Sequence, residues 1–475
     1  MDLSHFLFMR HELLLIAVAI VLLLFDLIAS ARVKKYHHLI ACTLTAGFTV
    51  TSFLMHEETS SVFGGMYLDT AMHGLVKSLL AFGTLLTFLI SNTWLAKPET
   101  AIKRGEFYVI TLFTLVGMYL MISSGHFLMF YIGLETASIP MATLVAFDKY
   151  RRHSAEAGAK YILAAAFASA IMLYGLSMIY AFVGSLYFED IAPVLSSTSY
   201  MCLIGLVFFL AGAFFKLSMV PFHLWTADVY EGAPTPVTAY LSVISKGSMA
   251  FAATVILYTV FGNMVDIWQP IFWWIILITI TLANLFAVRQ QNLKRLLAFS
   301  SISQAGYLAL GIMSGTAMGM ATVVYYTVAY LCSNFAAFGV IQAIEDKTGK
   351  VTLADYNGLY GTNPKLAITM MLAMFSLGGI PFFAGFFSKF FVFAAAAEQG
   401  QYLLVFLALL NTIISLYYYL LVVKAMFINK TDAPISTLKT DAYGRIALVA
   451  CVLGMLFIGL ISPIFDYIVS ISFGM

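Results

Sequence analysis

Six lysines and one glutamate in this sequence stand where charge is costly. Lys77, Lys160, Lys216, Lys246, Lys389 and Lys424 all fall inside long apolar runs, and Glu135 lies in the middle of another, five residues before Pro140. A charged side chain at mid-bilayer costs about 2.5–3.5 kcal/mol or more, so such residues face a protein interior or a wet cavity and mark a pathway. Lys216, Lys246 and Lys389 are too deep to reach the interface. Lys77 and Lys424 lie nearer the ends of their runs and can snorkel, and Lys160 lies near the start of its own. A carboxylate beside a buried lysine keeps the ammonium form, and separating the two makes the proton easier to release. A lysine switched in that way is a proton carrier. The other reading of Glu135 is a purely structural ion pair with one of these lysines. Asp26 is a second deep carboxylate without an identifiable partner, and its role is structural, inter-subunit or part of a relay.

The runs that must position these residues define the class. Of 475 residues, 61% are hydrophobic and 10% charged, against about 25% charged in ordinary soluble domains. Mean hydropathy is +0.93. This composition is that of a polytopic membrane protein, and it excludes a nucleic-acid binder, a disordered scaffold and a disulfide-framed secreted domain. The net charge of +2 argues for no acidic partner. Cys42, Cys202, Cys332 and Cys451 each lie in an apolar run with no CxxC pair, as small core residues do. With no GxGxxG, P-loop or HExxH, the chain has no visible means of handling electrons, nucleotides or metals by itself.

A spanning helix needs about 20 mostly apolar residues. Windows of that size predict fourteen spans, near 12–30, 36–54, 74–95, 106–124, 127–147, 155–184, 200–222, 234–261, 267–289, 293–313, 318–344, 365–396, 402–428 and 444–471. The first lacks a small-residue cleavage site and carries Asp26, so it reads as a retained span. Basic residues test the count independently. Eighteen of the 25 Lys and Arg lie in odd-numbered connections, while even connections such as His56-Glu57-Glu58 and Ser123-Ser124-Gly125 hold none. By the positive-inside rule the odd connections are cytoplasmic and both termini lie outside, on the periplasmic side in a bacterium.

Two spans are interrupted by proline. Span 7 ends Lys216-Leu-Ser-Met-Val-Pro221-Phe-His223, and span 12 reads Gly378-Gly379-Ile380-Pro381 before Ser388-Lys389. Proline removes a backbone hydrogen bond, and in a bilayer the freed groups need protein or water. Broken helices at corresponding positions of two halves point to a transport site. Here spans 4–8 precede spans 9–13, and the broken helix with its lysine falls fourth in each set. Five is odd, so the second set starts from the opposite side and the repeat is inverted. The organisation predicted is therefore helices 1–3 (residues 1–105), a first five-helix repeat (106–261), a second (262–428) and helix 14 (429–475). Segment 223–236, aromatic, acidic and Pro-rich, reads as a loop packed into the protein. His223 is either a structural histidine or a relay beside Lys216.

The stretch from Lys216 to Lys246, KLSMVPFHLWTADVYEGAPTPVTAYLSVISK, resembles the signature of the antiporter-like subunits of respiratory complex I, a family shared with Mrp-type cation/proton antiporters and membrane hydrogenases. GLETASIP around Glu135, NLKRLLAFSSISQAGYLALG (292–311) and GGIPFFAGFFSKFFVF (378–393) match as well. The likeness runs over spans 2–14. Lys389 on span 12, Lys160 on span 6, the run Tyr417-Tyr418-Tyr419-Leu420 and the lack of a long C-terminal lateral helix resemble one branch of that family. Gln304 departs from it, since many relatives carry His there, and Gln cannot titrate.

The resemblance implies a proton-translocating membrane subunit of a NADH–quinone oxidoreductase in a bacterial inner membrane. Its partners would be neighbouring antiporter-like and small membrane subunits, with the hydrophilic redox arm indirectly. NADH, FMN, iron–sulfur clusters and quinone would all belong to partner subunits, with no cofactor in this chain. It also implies roles: Glu135 and Lys216 as a modulating ion pair, Lys246 connecting the halves, Lys389 loading and releasing the proton, and Lys160 and His223 as further members. An Mrp-type antiporter subunit or a membrane hydrogenase subunit is the alternative.

Overall fold

A computed structural model, describing residues 3–55 and 59–475, puts a helix at each of the fourteen places where a span is predicted. The His56-Glu57-Glu58 connection lies outside the described residues. The N-terminal elements are α1 (Arg10–Ile28), α2 (His37–Leu54), a hairpin of β1 (Ser60–Val62) and β2 (Tyr67–Asp69), and α3 (Ala71–Leu95). Next come α4 (Arg104–Ile122), α5 (Phe127–Val145), α6 (Arg152–Val183), α7 (Tyr200–Leu217), α8 (Leu224–Gly232) and α9 (Thr235–Thr259). The second half holds α10 (Val265–Val288), α11 (Leu293–Met313), α12 (Ala317–Thr348), α13 (Pro364–Gly378), α14 (Ala384–Glu398) and α15 (Tyr402–Phe427). α16 (Ala442–Leu460) and α17 (Ser462–Ser470) close the chain. Among the described residues, twelve helices are long and apolar enough to cross a membrane. α2 falls short because it carries His37, His38, four threonines and a serine. Span 12 is filled by α13 and α14, 15 residues each and too short singly.

Burial sorts the bundle. The most apolar stretches of α9 and α11 are buried along their whole length, against 28% to 39% for α1, α6, α10, α15 and α16. The helices bearing Lys246 and Gln304 are thus the centre, and the lipid-facing ones surround them. Close approach is set by glycine at a few points. A Cβ on Gly133 would lie 2.6 Å from the Met121 nitrogen, and one on Gly117 2.4 Å from the Ala137 nitrogen, so α4 and α5 pack backbone to backbone beside Glu135.

The breaks are capped as the prolines require. α7 ends at Ser218 with φ of 62°, where Met219 N donates to Phe214 O (2.8 Å) and Val220 N to the Thr279 hydroxyl of α10 (3.1 Å). α13 ends at Gly379 with φ of +82°, and Ile380 N donates to Phe375 O (3.0 Å). Lys216 stands just before its break and Lys389 just after its own.

Four expectations change. Segment 223–236 is not a loop: Leu224–Gly232 is helical, because Pro234 and Pro236 fall after it, at the cap and first turn of α9, where proline is tolerated. A two-stranded hairpin interrupts the all-helical reading in the second connection, pairing Ser60 with Asp69, Ser61 with Leu68 and Val62 with Tyr67. Asp26 is not deep; it ends α1 beside Lys34 (3.3 Å) and His37 (3.5 Å). Lys77 does not snorkel. It is fully buried, with Nζ 2.9 Å from Glu12 and 3.3 Å from Asp69, and donates to the Tyr67 hydroxyl (2.9 Å), which donates to Glu12 (3.0 Å). The hairpin roofs that end of α3. Lys424, by contrast, is exposed in the last turn of α15.

Removing one partner of a buried ion pair strands the others, at about 3–5 kcal/mol. Lys77→Met should therefore sharply reduce the yield of folded chain in mild detergent, while Lys424→Met leaves it at wild-type level. Equal yields for both would contradict the burial of this cluster.

Candidate functional site

The three deep lysines are buried, at 8% exposure for Lys216 and 5% each for Lys246 and Lys389. Each meets dipoles in place of water. Lys216 Nζ donates to the Tyr161 hydroxyl (3.4 Å) and lies 6.0 Å from that ring's centre. Lys246 Nζ donates to the Ser301 hydroxyl (2.8 Å) and backbone carbonyl (3.3 Å), 5.6 Å from the Tyr230 ring. Lys389 Nζ donates to the Leu377 carbonyl (2.8 Å), which the break in span 12 frees, 5.1 Å from the Tyr307 ring. A cation over an aromatic face at such distances is attracted by about 0.5–2 kcal/mol. Among the described residues, none of the three has a carboxylate within 4.0 Å.

Local backbone explains the placement. The α9 ladder loosens into a π-helical turn over Leu241–Ser245, immediately before Lys246. Such turns are rare and concentrate at functional sites. Around Lys389 the turn is built on glycine: a Cβ on Gly379 would lie 3.1 Å from the Lys389 Cδ, and one on Gly385 1.9 Å from the Ser376 carbonyl oxygen.

Gln304 lies between the second and third lysines. It accepts from the Tyr326 hydroxyl and donates to the Tyr419 hydroxyl (3.1 Å) and the Leu377 carbonyl (3.2 Å), the oxygen that also receives Lys389. It lines two small cavities of about 10 Å³ each, one shared with Lys246 and Tyr330, the other with Tyr330, Ser333 and Lys389. Each has room for about one water.

The remaining sequence candidates are placed differently. Glu135, half-buried on α5, forms no ion pair with Lys216 within 4.0 Å, and its Oε1 is buried without a hydrogen-bond partner. The closed pair expected from the sequence is absent because Lys216 turns to Tyr161 instead. His223 is 8% exposed at the start of α8, with Nδ1 unpartnered and no hydrogen bond to Lys216. Lys160 is not in the buried line. Its side chain is 44% exposed and pairs with Glu156 (2.8 Å) and Asp228 (2.7 Å).

Those ion pairs ring a chamber of about 570 Å³ that opens toward the odd-numbered connections. Arg295 bridges Asp228 (2.8 Å) and Glu231 (2.9 Å), while Lys294 donates to the Ala233 carbonyl (2.8 Å) and lies 3.7 Å from Glu345. Burial opposes ionisation of Asp228, but hydrogen bonds from Lys160 and Arg295 outweigh it and hold this carboxyl below the usual range. At the break after α7 and on α8, the Ser218, Thr226 and Tyr230 hydroxyls and the Trp225 indole are buried without partners among the described residues. Such groups are normally satisfied by ordered water.

Sequence reasoning missed the tyrosines that face each lysine, and it missed Glu12 and Asp69. The available signals were mid-span tyrosines in a chain with 26 of them, and acidic residues at the very ends of apolar runs.

Residues 124–415 match the family model described as NADH:quinone oxidoreductase/Mrp antiporter, TM. A NADH-quinone oxidoreductase subunit N from Phocaeicola vulgatus is 56% identical over 467 residues, covering 98% of both chains. One from Moorella thermoacetica is 37% identical over 462 residues, covering 96% of each. Among solved structures, a chain of respiratory complex I from Thermus thermophilus with bound aureothin superposes with a TM-score of 0.81 at 29% identity, over 95% of this chain and 97% of that one. A chain of the Mrp complex from a Dietzia species reaches 0.84 at 19% identity, over 97% and 96%. That second likeness is one of fold.

Gln304 holds three groups at once. Gln304→Leu should leave the Tyr326 hydroxyl and one carbonyl bond unmet, at about 1–3 kcal/mol each. Thermal inactivation of the purified assembly should shift downward, and an unchanged midpoint would show that this network does not stabilise the fold.

Proposed function

This chain belongs to the NADH:quinone oxidoreductase/Mrp antiporter family, and from that premise we propose how it works, as a proton-translocating membrane subunit of a NADH-quinone oxidoreductase. The observation that carries the mechanism is the line Lys216, Lys246, Lys389, three buried amines without a carboxylate in ion-pair range among the described residues, facing hydroxyls, carbonyls and aromatic rings. An amine so placed holds a proton or hands it on according to the charge near it.

In the proposed cycle the chamber at the odd connections takes up water and a proton. Lys216 receives it, with Tyr161 and the unpartnered hydroxyls at the break supporting a water path. Glu135 is the charge that biases Lys216, closing toward it to retain the proton and drawing away to release it. Lys246 passes the proton to the second half, and Lys389 releases it on the far side. Gln304 holds no extra proton; it fixes Tyr326, Tyr419 and the Leu377 carbonyl around single waters. Lys160 guards the intake through Asp228, and His223 stands at the break as a secondary relay.

Magnitudes permit this. Moving one charge against 100 mV costs about 2.3 kcal/mol, and one unit of proton affinity is worth about 1.4 kcal/mol. Rearranging a single ion pair is sufficient. The energy comes from quinone reduction in partner subunits, which hold the flavin, the iron–sulfur clusters and the NADH site. The two units 106–261 and 262–428 act as inverted halves around Lys246. The basic odd connections support an inner-membrane setting with both termini outward.

The test is purification of the tagged chain from its native membrane in mild detergent, with identification of partners and a NADH-oxidation assay. Co-purifying flavin and iron–sulfur subunits are expected; recovery with small membrane subunits alone would replace this reading with a cation/proton antiporter. Within the intact assembly, Lys216→Ala should abolish coupled proton movement while assembly persists. Lys389→Glu should impair release, because it removes the cation the step requires. Wild-type pumping in either variant would remove that residue from the path.

A further inference from the structure

A second polar line crosses the N-terminal helices, apart from the lysine line. On α2, His38, Cys42, Thr45, Thr49 and Ser52 recur every three or four residues, and all are at most 5% exposed. That spacing puts them on one helix face, and α2 packs it against α1, α3 and α4. A soluble helix would turn these groups outward and its apolar side inward. Here the lipid takes Val50, Phe53 and Leu54, which are exposed, and the polar side is enclosed.

Both ends of this stripe finish in titratable groups. At the even-connection end, Ser52 Oγ lies 2.9 Å from Ser78 Oγ, and the Ser52 carbonyl 3.4 Å from His11 Nε2. The next residue on each helix belongs to the buried cluster, Glu12 after His11 and Lys77 before Ser78. At the odd-connection end, His38 Nδ1 lies 2.6 Å from the Tyr108 hydroxyl and its Nε2 3.5 Å from Cys42 Sγ. Adjacent His37 faces Asp26 (3.5 Å), which also meets Lys34 (3.3 Å).

Between the ends, Thr49 donates to the Thr45 carbonyl (2.8 Å), and successive members stand one helical turn apart, about 5.4 Å. One water bridges such a gap. The Thr45 hydroxyl, 1% exposed and at the centre of the stripe, has no protein partner, and neither has His37 Nε2, which is 2% exposed. A buried polar atom left unmet by protein calls for water, and these two lie at the middle and at one end of the line.

We propose that α1 to α4 enclose a second transmembrane proton route, running from Asp26 and His37 through His38, Thr45, Thr49 and Ser52 to the Glu12–Asp69–Lys77 cluster. The stripe moves protons alone, by exchange between hydroxyls, imidazoles and single waters, with no covalent or redox step. It rests on the reading of the chain as a subunit of a proton-translocating assembly, and it is separate from Lys216, Lys246 and Lys389.

The test uses membrane vesicles carrying the intact assembly, with NADH-driven acidification divided by NADH oxidation as the proton yield. The double substitution Thr45→Val with Thr49→Val removes both hydroxyls at nearly constant volume and should lose part of the yield while NADH oxidation in detergent is unchanged. Thr45→Ser with Thr49→Ser restores the hydroxyls and should restore the yield. A full yield in the valine pair overturns the route, and so does an equal loss in both pairs, which would mean packing. Should the valine pair not assemble, Thr45→Val alone is compared with Thr45→Ser, and the same two results overturn the route. A wild-type assembly that acidifies nothing on NADH overturns the reading beneath it and the route together.

Discussion

An amine taken out of water must face other dipoles, and four lysines here meet that requirement in the same manner. Lys77, Lys216, Lys246 and Lys389 lie 5.1, 6.0, 5.6 and 5.1 Å from the centres of Tyr67, Tyr161, Tyr230 and Tyr307. A tyrosine offers a negative ring face and a hydroxyl at once, so it stabilises a cation without fixing it as a carboxylate would. Among the described residues only Lys77 of the four adds carboxylates, Glu12 and Asp69. The difference separates an anchored lysine from three that have room to change protonation. Much else follows from this requirement. The helices carrying Lys246 and Gln304 are central because their polar groups cannot face lipid, and the two broken helices exist where a freed carbonyl or an open turn has an amine to serve.

Much of the fold is legible along the chain because it is set by local properties. An apolar run of spanning length is a helix in lipid regardless of its neighbours, and the basic connections alternate because each span reverses direction. Pro221 and Pro381 likewise announce their breaks, since a missing N–H is written in the residue type. Pairing is another matter. Lys77 meets Glu12 from 65 positions earlier and Asp69 at the end of a hairpin that no alternation foretold, so its place near the end of a run looked like the membrane surface. Pro234 and Pro236 made 223–236 look like a loop, though proline breaks only the helix it interrupts, and these two start one.

The site shows the same division. Residue type together with depth in an apolar run singled out Lys216, Lys246 and Lys389, because so deep an amine cannot reach the interface. It could not supply distance. Glu135 and Lys216 were expected in contact, whereas the amine faces Tyr161 and the carboxylate oxygen is unmet. Lys160 was grouped with the pathway lysines through the family resemblance, but the chamber carved between α6, α8 and α11 brings solvent to it.

Backbone amides tie separate connections together on both membrane faces, and the two faces differ in the exposure of the ion pairs beside them. On the even side, backbone amides of separate connections bind each other: Leu68 to Ser123, Gly125 to Met66, Phe127 to Leu186 and Phe188 to Gly125, at 2.8 to 3.0 Å. On the odd side, Leu293 N donates to the Val351 carbonyl (2.9 Å) and Leu353 N to the Gln291 carbonyl (2.8 Å), and partly exposed ion pairs join them, as in Lys97 with Asp346 (2.9 Å) and Arg295 with Asp228 and Glu231. Amide bonds are indifferent to ionic strength, while partly exposed ion pairs weaken within a screening length of about 8 Å at physiological salt. Ionic strength therefore acts on the rim bearing the chamber, whose ion pairs are partly exposed, more than on the opposite rim, whose Lys77 pairs are buried.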